Sequence, residues 1–464
     1  MRGFLASSIG VTCAAALALP LALPAPAQAG PSAATSEIAV PGSTQSLPLV
    51  PLTGERALGP AAPEQGLARR DVRPFSLVGV VWDDPNSELN GRVQVRTRAA
   101  GSGHWSGWQD VETHNHEHAA DPDTAEGASH RVHGSTAPLW VGDSDGVEVR
   151  VDAERVTREI AESPQEGARD SPWEDRATTL ADSPLPRGLR LELVDPDGDP
   201  PDADAPGAGR EGGAPSDARA GSGRAGASDG AGGAGATEIA ALTQEETERE
   251  YLPEAAYEQR AQPFIGPRPR IVTRRGWGAN ENLRERGFVY TKKVKAAFVH
   301  HTASGNKYSC SQVPSLIRSI YRYHVVSSGW RDIGYNFLVD KCGNIYEGRA
   351  GGVAKAVKGA HTLGFNTNSM GIAVLGNFAG TKPPDAALKA IARLTAWKLG
   401  LYGANPRGKT YLTSAGGNLY RKGKNVRLNV ISGHRDGFAT ECPGRLLYGK
   451  LGSARKTAAR YQGR

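Results

Sequence analysis

Near its C-terminus the chain carries His434-Arg435-Asp436-Gly437-Phe438-Ala439-Thr440-Glu441-Cys442-Pro443-Gly444, an imidazole and a thiol on one short stretch with seven residues between them. These are two of the side-chain types that zinc and other soft divalent metals prefer. A third ligand must come from elsewhere, and the upstream pair His300-His301 is the obvious source. Neighbouring residues of a strand point to opposite faces, so one of that pair is expected to reach a metal and the other to pack or hydrogen-bond behind it.

The elements around these residues alternate. Lys295-Ala296-Ala297-Phe298-Val299 reads as a short buried strand that delivers the histidine pair at its C-terminal end. Val313, Leu316, Ile317, Ile320 and His324 recur at helical spacing behind Pro314, which marks an amphipathic helix with His324 as a core residue. Residues 335–339 and 345–347 read as strands joined by a tight turn through Cys342-Gly343-Asn344. Residues 369–375 read as a buried strand, and Leu388, Ile391, Thr395 and Leu399 as a second helix. Strands interleaved with helices predict an α/β domain with a mixed β-sheet flanked by helices over 265–464. Glu347 is expected in a structural pair with Arg349 or a lysine.

The preceding chain is different. A positive start, an apolar Ala- and Leu-rich run and Ala27-Gln28-Ala29 make 1–29 a signal peptide, too short and Pro-interrupted for a membrane anchor. Residues 30–70 read as a disordered leader and 71–196 as a small all-β, sandwich-like domain. The strand candidates include 76–82 and the cleanly alternating 92–98, and a long insertion spans about 154–186. Residues 197–264 form a linker rich in Gly, Ala and Asp, with a short acidic helix toward its end. Two features of the β region invite a functional reading. His114, His116 and His118 alternate, but no strand signal surrounds them, and they read as a solvated loop. Trp105 and Trp108 offer either a sugar-stacking platform or hairpin packing.

Export leaves Cys310, Cys342 and Cys442 of the four cysteines, an odd number in an oxidising compartment. Spacing does not choose among the three pairings. The formal charge of +6 divides unevenly: residues 265–464 carry 34 Lys and Arg against 8 Asp and Glu. A basic C-terminal domain suits a polyanionic partner, and for an exported chain that means an anionic cell wall. No basic helix or aromatic-rich basic motif points to nucleic acid.

Six motifs then stand in order: Val299-His300-His301-Thr302-Ala303; Gly329-Trp330 through Tyr335-Asn336-Phe337; Tyr346-Glu347-Gly348-Arg349; Gly359-Ala360-His361-Thr362; Met370 through Phe378; and the opening His434…Cys442-Pro443-Gly444. Together they resemble the peptidoglycan recognition protein and phage-type zinc amidase family over about 270–447. The sandwich-plus-linker layout is similar to secreted actinobacterial members. The resemblance implies a secreted N-acetylmuramoyl-L-alanine amidase, cutting the amide between the muramic lactyl group and the first alanine of the stem. It implies Zn2+ held by His300, His434 and Cys442, with Tyr335 catalytic and Thr440 in place of a lysine found in phage enzymes. It also implies substrate contacts from His361, Thr302 and Trp330, and a Cys310–Cys342 disulfide. The pair Ala356-Val357, where members that discriminate peptidoglycan types carry a diagnostic pair, matches neither well-known version. The expected partner is peptidoglycan, met by a cell-wall-associated monomer, with a wall- or partner-binding role for the β domain. Two rival readings are a non-catalytic peptidoglycan-binding protein and a structural wall anchor in which Cys442 is disulfide-bonded.

Overall fold

The computed structural model describes residues 41–52, 64–159, 178–198, 236–252 and 264–464. The expected signal peptide, most of the Gly-rich linker and the middle of the insertion lie outside the described residues.

The N-terminal sheet is antiparallel throughout. Its strands are β1 (Ser43–Pro48), β2 (Val50–Pro51), β3 (Glu64–Trp82), β4 (Gly91–Ala99), β5 (Gln109–Val111), β6 (Gly134–Ser135), β7 (Leu139–Ala153) and, after a separate β8 (Arg155–Glu159) and β9 (Thr178–Asp182) hairpin, β10 (Arg190–Asp195). The order is β1-β10-β3-β7-β4-β5, with β2 and β6 also paired to β3. Three parts of the expected leader are therefore strand: Ser43–Pro48 pairs with β10, Val50–Pro51 pairs with β3, and β3 begins at Glu64. These segments are short, polar or Pro-containing, so their own sequence carries little strand signal; long-range ladder bonds define them.

The run Leu77-Val78-Gly79-Val80-Val81-Trp82 shows why β3 matters. A strand that buries one face alternates apolar and polar, whereas one buried on both faces is continuously apolar. Val78, Val80 and Trp82 enter the core of the β domain with Val93, Val95, Val149 and Leu191. Leu77 and Val81 point the other way and join a second core with Trp277, Leu316, Ile320 and Tyr323 of the C-terminal domain. Gly79 lies between them on that face, and a Cβ there would stand 2.3 Å from the Tyr323 hydroxyl oxygen. The same hydroxyl donates to the Thr136 carbonyl at 3.1 Å. The two domains thus share one buried apolar seam.

The C-terminal sheet contains β11 (Glu238–Ile239), β12 (Ile271–Val272), β13 (Ala296–His301), β14 (Phe337–Val339), β15 (Ile345–Glu347), β16 (Ser369–Val374) and β19 (Ile431–Gly433), in the order β11-β12-β15-β14-β16-β13-β19. β13 runs parallel to β16 and β19, while β14 and β15 are antiparallel, so the sheet is mixed. A hairpin of β17 (Lys409–Thr413) and β18 (Asn425–Asn429) stands apart. Around the sheet lie α1 (Gln244–Tyr251), α2 (Val313–Arg322), α3 (Asp385–Gly400), α4 (Arg445–Tyr448) and α5 (Leu451–Tyr461). α1 and β11 order the end of the expected linker; a capping box between Thr243 and Glu246 starts α1. α2 places Val313, Leu316, Ile317 and Ile320 inward, then widens into a π turn over Tyr323–Ser327. Cys310 and Cys342 are joined by a disulfide, and Cys442 is free and buried. Among the described residues no helix is long and apolar enough to cross a membrane.

Candidate metal centre

The parallel register builds the site. Val299 of β13 lies opposite Gly433 of β19, so the next residue of each strand, His300 and His434, emerges side by side at the strands' C-terminal ends. That is where parallel sheets leave a crevice for ligands. The two rings sit 4.5 Å apart between centroids. After His434 the chain turns through a 3₁₀ segment, held by the Gly433 amide donating to Asp436 at 2.9 Å. The Arg435 amide then donates to the Cys442 carbonyl at 3.1 Å, and this closes the loop and brings the thiol back to the imidazoles. Cys442 Sγ lies 3.8 Å from His300 Nδ1.

A fourth donor enters from the β domain. His118 Nε2 is 3.2 Å from His434 Nδ1 and 3.5 Å from Cys442 Sγ. The ligand atoms of His118, His300, His434 and Cys442 all lie within 4.8 Å of one another, and all four residues are buried. A tetrahedral zinc with Zn–N near 2.0–2.1 Å and Zn–S near 2.3 Å has ligand–ligand edges of about 3.3–3.6 Å. The separations of 3.2, 3.5 and 3.8 Å bracket that range, and three imidazoles with one thiol are donors that zinc accepts, so the residues fit the metal. Burial, and then the neighbouring histidines, hold His118, His300 and His434 well below the ordinary imidazole range, which leaves them neutral with lone pairs available. Burial pushes the Cys442 thiol up; a coordinated divalent cation reverses this, because a ligating thiol is deprotonated.

Behind the cluster, His300 Nε2 lies 3.4 Å from the Thr362 hydroxyl, itself 3.0 Å from His361 Nδ1. This chain fixes the His300 ring so that Nδ1 faces the thiol. Tyr335 packs against both His300 and His118, with ring centroids 5.6 and 5.9 Å away. Burial raises its phenol well above the ordinary range. The Thr440 hydroxyl accepts the Cys442 amide at 3.1 Å and donates to Glu117 at 2.6 Å.

Comparison with known proteins agrees with this architecture. A family model described as N-acetylmuramoyl-L-alanine amidase matches residues 290–445, and one described as Rv3811 N-terminal galactose-binding domain-like matches 31–176. Peptidoglycan-recognition protein SC2 of Drosophila simulans is 31% identical over 181 residues, 39% of this chain and 84% of that protein. The chain belongs to the peptidoglycan-recognition protein family. The human N-acetylmuramoyl-L-alanine amidase is 32% identical over 40% of this chain and 28% of its own length. The solved Drosophila PGRP-LB structure is 27% identical, covering 39% of this chain and 92% of that one, with a TM-score of 0.31.

In this family member two of the expected substrate residues, His361 and Trp330, lie deeper than the sequence suggests, while others, His301 and His324 among them, stand as expected. His361, expected to contact substrate, is fully buried beneath His300, its imidazole held to a pKa of about 3 by desolvation. Trp330 is also buried, stacked 4.4 Å from His324 by the docked β domain and the π turn. Thr302 is buried and accepts the Gly376 amide at 3.0 Å, although it also borders the small cavity beside Tyr335 and Cys442. Glu347 accepts the Arg274 amide at 3.3 Å, and Arg349 pairs instead with Glu126 of the β domain. His301 accepts the Phe378 amide at 3.3 Å, and His324 accepts the Gly334 amide at 3.3 Å. Trp105 and Trp108 are faced by guanidinium groups of Arg69, Arg96 and Arg150, which is hairpin packing. The solvated-loop reading of His114, His116 and His118 fails at its last member. His118 is 5% exposed; the alternating histidines were the signal, and the absence of strand pattern around them hid it.

Proposed function

We propose that the chain is a secreted, zinc-dependent N-acetylmuramoyl-L-alanine amidase that hydrolyses the lactyl–L-alanine amide of peptidoglycan. The observation that carries the reading is the convergence of His300 Nδ1, His434 Nδ1 and Cys442 Sγ beside the Tyr335 ring, which the non-catalytic and wall-anchor readings do not require. A zinc ion held by these three side chains would supply Lewis-acid polarisation of the scissile carbonyl and an activated water. Tyr335, buried at the rim of the cluster, supplies a phenolic donor to the oxygen on which charge develops. Thr440 supplies a hydroxyl to the same region once it is released from Glu117. The His361–Thr362 chain keeps His300 in one ring orientation. The free, buried state of Cys442 supports a ligand role over a disulfide.

Metal analysis and product analysis on the full chain test the reading. One zinc per chain is expected, with free stem peptides beginning in L-alanine released from purified wall on long incubation, and both lost in Cys442→Ala. Equal zinc in the two proteins, or release by Cys442→Ala equal to a measurable release by the unaltered chain, would overturn it. Zinc bound through Cys442 with no cleavage, even by the variants with the loop released described below, would leave a recognition protein.

A further inference from the structure

The loop of residues 112–133, between β5 and β6, leaves the β sheet and carries His118 onto the metal cluster. We infer that this loop is a built-in plug whose His118 is the fourth protein ligand of the metal, so that the intact chain holds its metal closed and its groove shut. The inference rests on the zinc reading above and adds to it the state in which the chain is made.

Four observations converge. First, His118 Nε2 sits at the cluster on tetrahedral edges of 3.2 and 3.5 Å, where an open catalytic site keeps a solvent position. Of the three alternating histidines only this one reaches it: His116 turns to Glu88 at 3.2 Å and to the Phe438 ring. Secondly, the cavity left beside His118, Tyr335 and Cys442 is about 10 Å³. That is the space of one water at most, and no sugar–peptide enters it. Thirdly, the loop is fastened by its carboxylates to cations of the C-terminal domain. Asp121 meets Lys358 at 3.0 Å, Asp123 meets Lys422 at 3.1 Å, and Glu126 meets Arg349 at 2.8 Å. Fourthly, its backbone is received at close quarters. The Leu363 amide donates to the Glu117 carbonyl at 2.9 Å, and Asn366 donates to the Ala119 carbonyl at 2.8 Å. Gly329, at φ 74°, passes so near Arg131 that a Cβ there would lie 1.7 Å from its carbonyl oxygen. Loop and groove are complementary in shape, charge and metal-donor chemistry at once.

The test uses full-length protein loaded with Co2+, whose visible spectrum reports coordination, with azide as a small probe ligand and sedimentation with insoluble peptidoglycan as a second readout. Four proteins are compared: the unaltered chain, His118→Ala, the double variant Asp121→Ala/Glu126→Ala, and Cys442→Ala. The unaltered chain is expected to show a four-coordinate spectrum that azide leaves unchanged, and not to sediment. His118→Ala should give a spectrum that azide shifts and lose cobalt to a chelator at least about 10-fold faster, since even residues behind metal ligands change affinity by 10–100-fold. The double variant keeps His118 but frees the loop, and should sediment with the wall. Azide shifting the unaltered spectrum as it does the variants, or equal sedimentation of all proteins, would overturn the plug. Cobalt binding that requires Cys442 but is indifferent to His118 removes the plug and leaves the zinc reading standing; cobalt binding indifferent to Cys442 removes both.

Discussion

Glu126→Ala isolates the strongest fastening of the 112–133 loop without touching the metal cluster. The Glu126 carboxylate accepts two parallel bonds from Arg349, both at 2.8 Å, and one from the Arg331 amide at 3.3 Å. Both side chains of the pair are under a tenth exposed, at 9% and 8%. Removing one partner of such a buried pair costs about 3–5 kcal/mol, because the other charge is left uncompensated. Arg349 keeps the Ile333 carbonyl at 2.9 Å and lies in the field of Asp332, which favours the lower end. A loss of about 3 kcal/mol in docking is about 100-fold in the open fraction, at 1.4 kcal/mol per decade. Amide hydrogen exchange reads this directly. Leu363 and Gly364 donate to Glu117 and Asp121 of the loop, and should exchange about 100-fold faster in the variant. The β13–β16 ladder serves as the internal reference and should not change. Less than about a threefold change at Leu363 and Gly364, or equal acceleration in the ladder, would refute the reasoning. The pH dependence follows with its sign. Burial raises the Glu126 carboxyl, but the Arg349 charge and hydrogen bonds outweigh it and the net shift is downward. A carboxylate held low when docked stabilises docking fully above the ordinary carboxylate range, and loses that stabilisation as pH falls through the docked value. Loop exchange should therefore accelerate in acid in the unaltered chain, and this component should be absent from Glu126→Ala.

Three further outcomes are expected. Tyr323→Phe removes one of two donors to the Thr136 carbonyl inside the domain seam, leaving Asn115 Nδ2 at 3.3 Å, and should lower unfolding free energy by about 1 kcal/mol in urea titration; an unchanged midpoint would show that the seam does not depend on this bond. Lys398 is buried on α3, and desolvation, only partly offset by Glu347, lowers its amine to about 7. Between about pH 7 and 10 the unfolded chain binds the extra proton, so stability should rise with pH there, and Lys398→Met should abolish the rise; parallel curves would contradict the burial argument. Tyr335→Phe, placed in the Asp121→Ala/Glu126→Ala background, should reduce amide cleavage about 10²–10³-fold with zinc content unchanged. A fall below about threefold would remove the phenol from the chemistry.

Much of the C-terminal domain was legible because its signals are local. The apolar strand 295–301 and the helical spacing from Val313 to Ile320 each describe an element whose inward face is set by its own period. The His434–Cys442 loop was legible because its two donors lie within one turn of chain. What the sequence hid depends on distant packing. Ser43–Pro48 is a strand only because Leu191 and Leu193 of β10 present an edge to it. His361 and Trp330 lie in motifs that suggest exposure, yet His300 covers the one and the π turn with its stacked His324 covers the other. The unbroken apolar run of β3 did carry a readable message. A strand with no polar alternation needs two buried faces, and the second face had to be another domain.

The charge asymmetry gains a sharper meaning from the loop. The basic excess of residues 265–464 suggested an anionic wall as partner, and the acidic excess of the preceding chain had no assigned role. Lys358, Lys422 and Arg349 are met within the molecule by Asp121, Asp123 and Glu126. If the wall is the partner proposed above, wall and loop compete for some of the same cations, and the loop has the advantage of being tethered, which gives it a high effective concentration. A soluble fragment of the wall, free in solution and paying its own ordering cost, displaces a tethered loop poorly. A wall surface, with many anionic groups on one scaffold, regains multivalency but offers neither the metal donor nor the buried pair, so the loop of the unaltered chain is expected to stay docked. Ionic strength separates the two contributions: exposed Asp123–Lys422 is screened by salt, whereas buried Glu126–Arg349 is screened much less. Salt should thus loosen the end of the loop near Asp123 before it releases His118, and hydrogen exchange along residues 112–133 at rising salt should show that order.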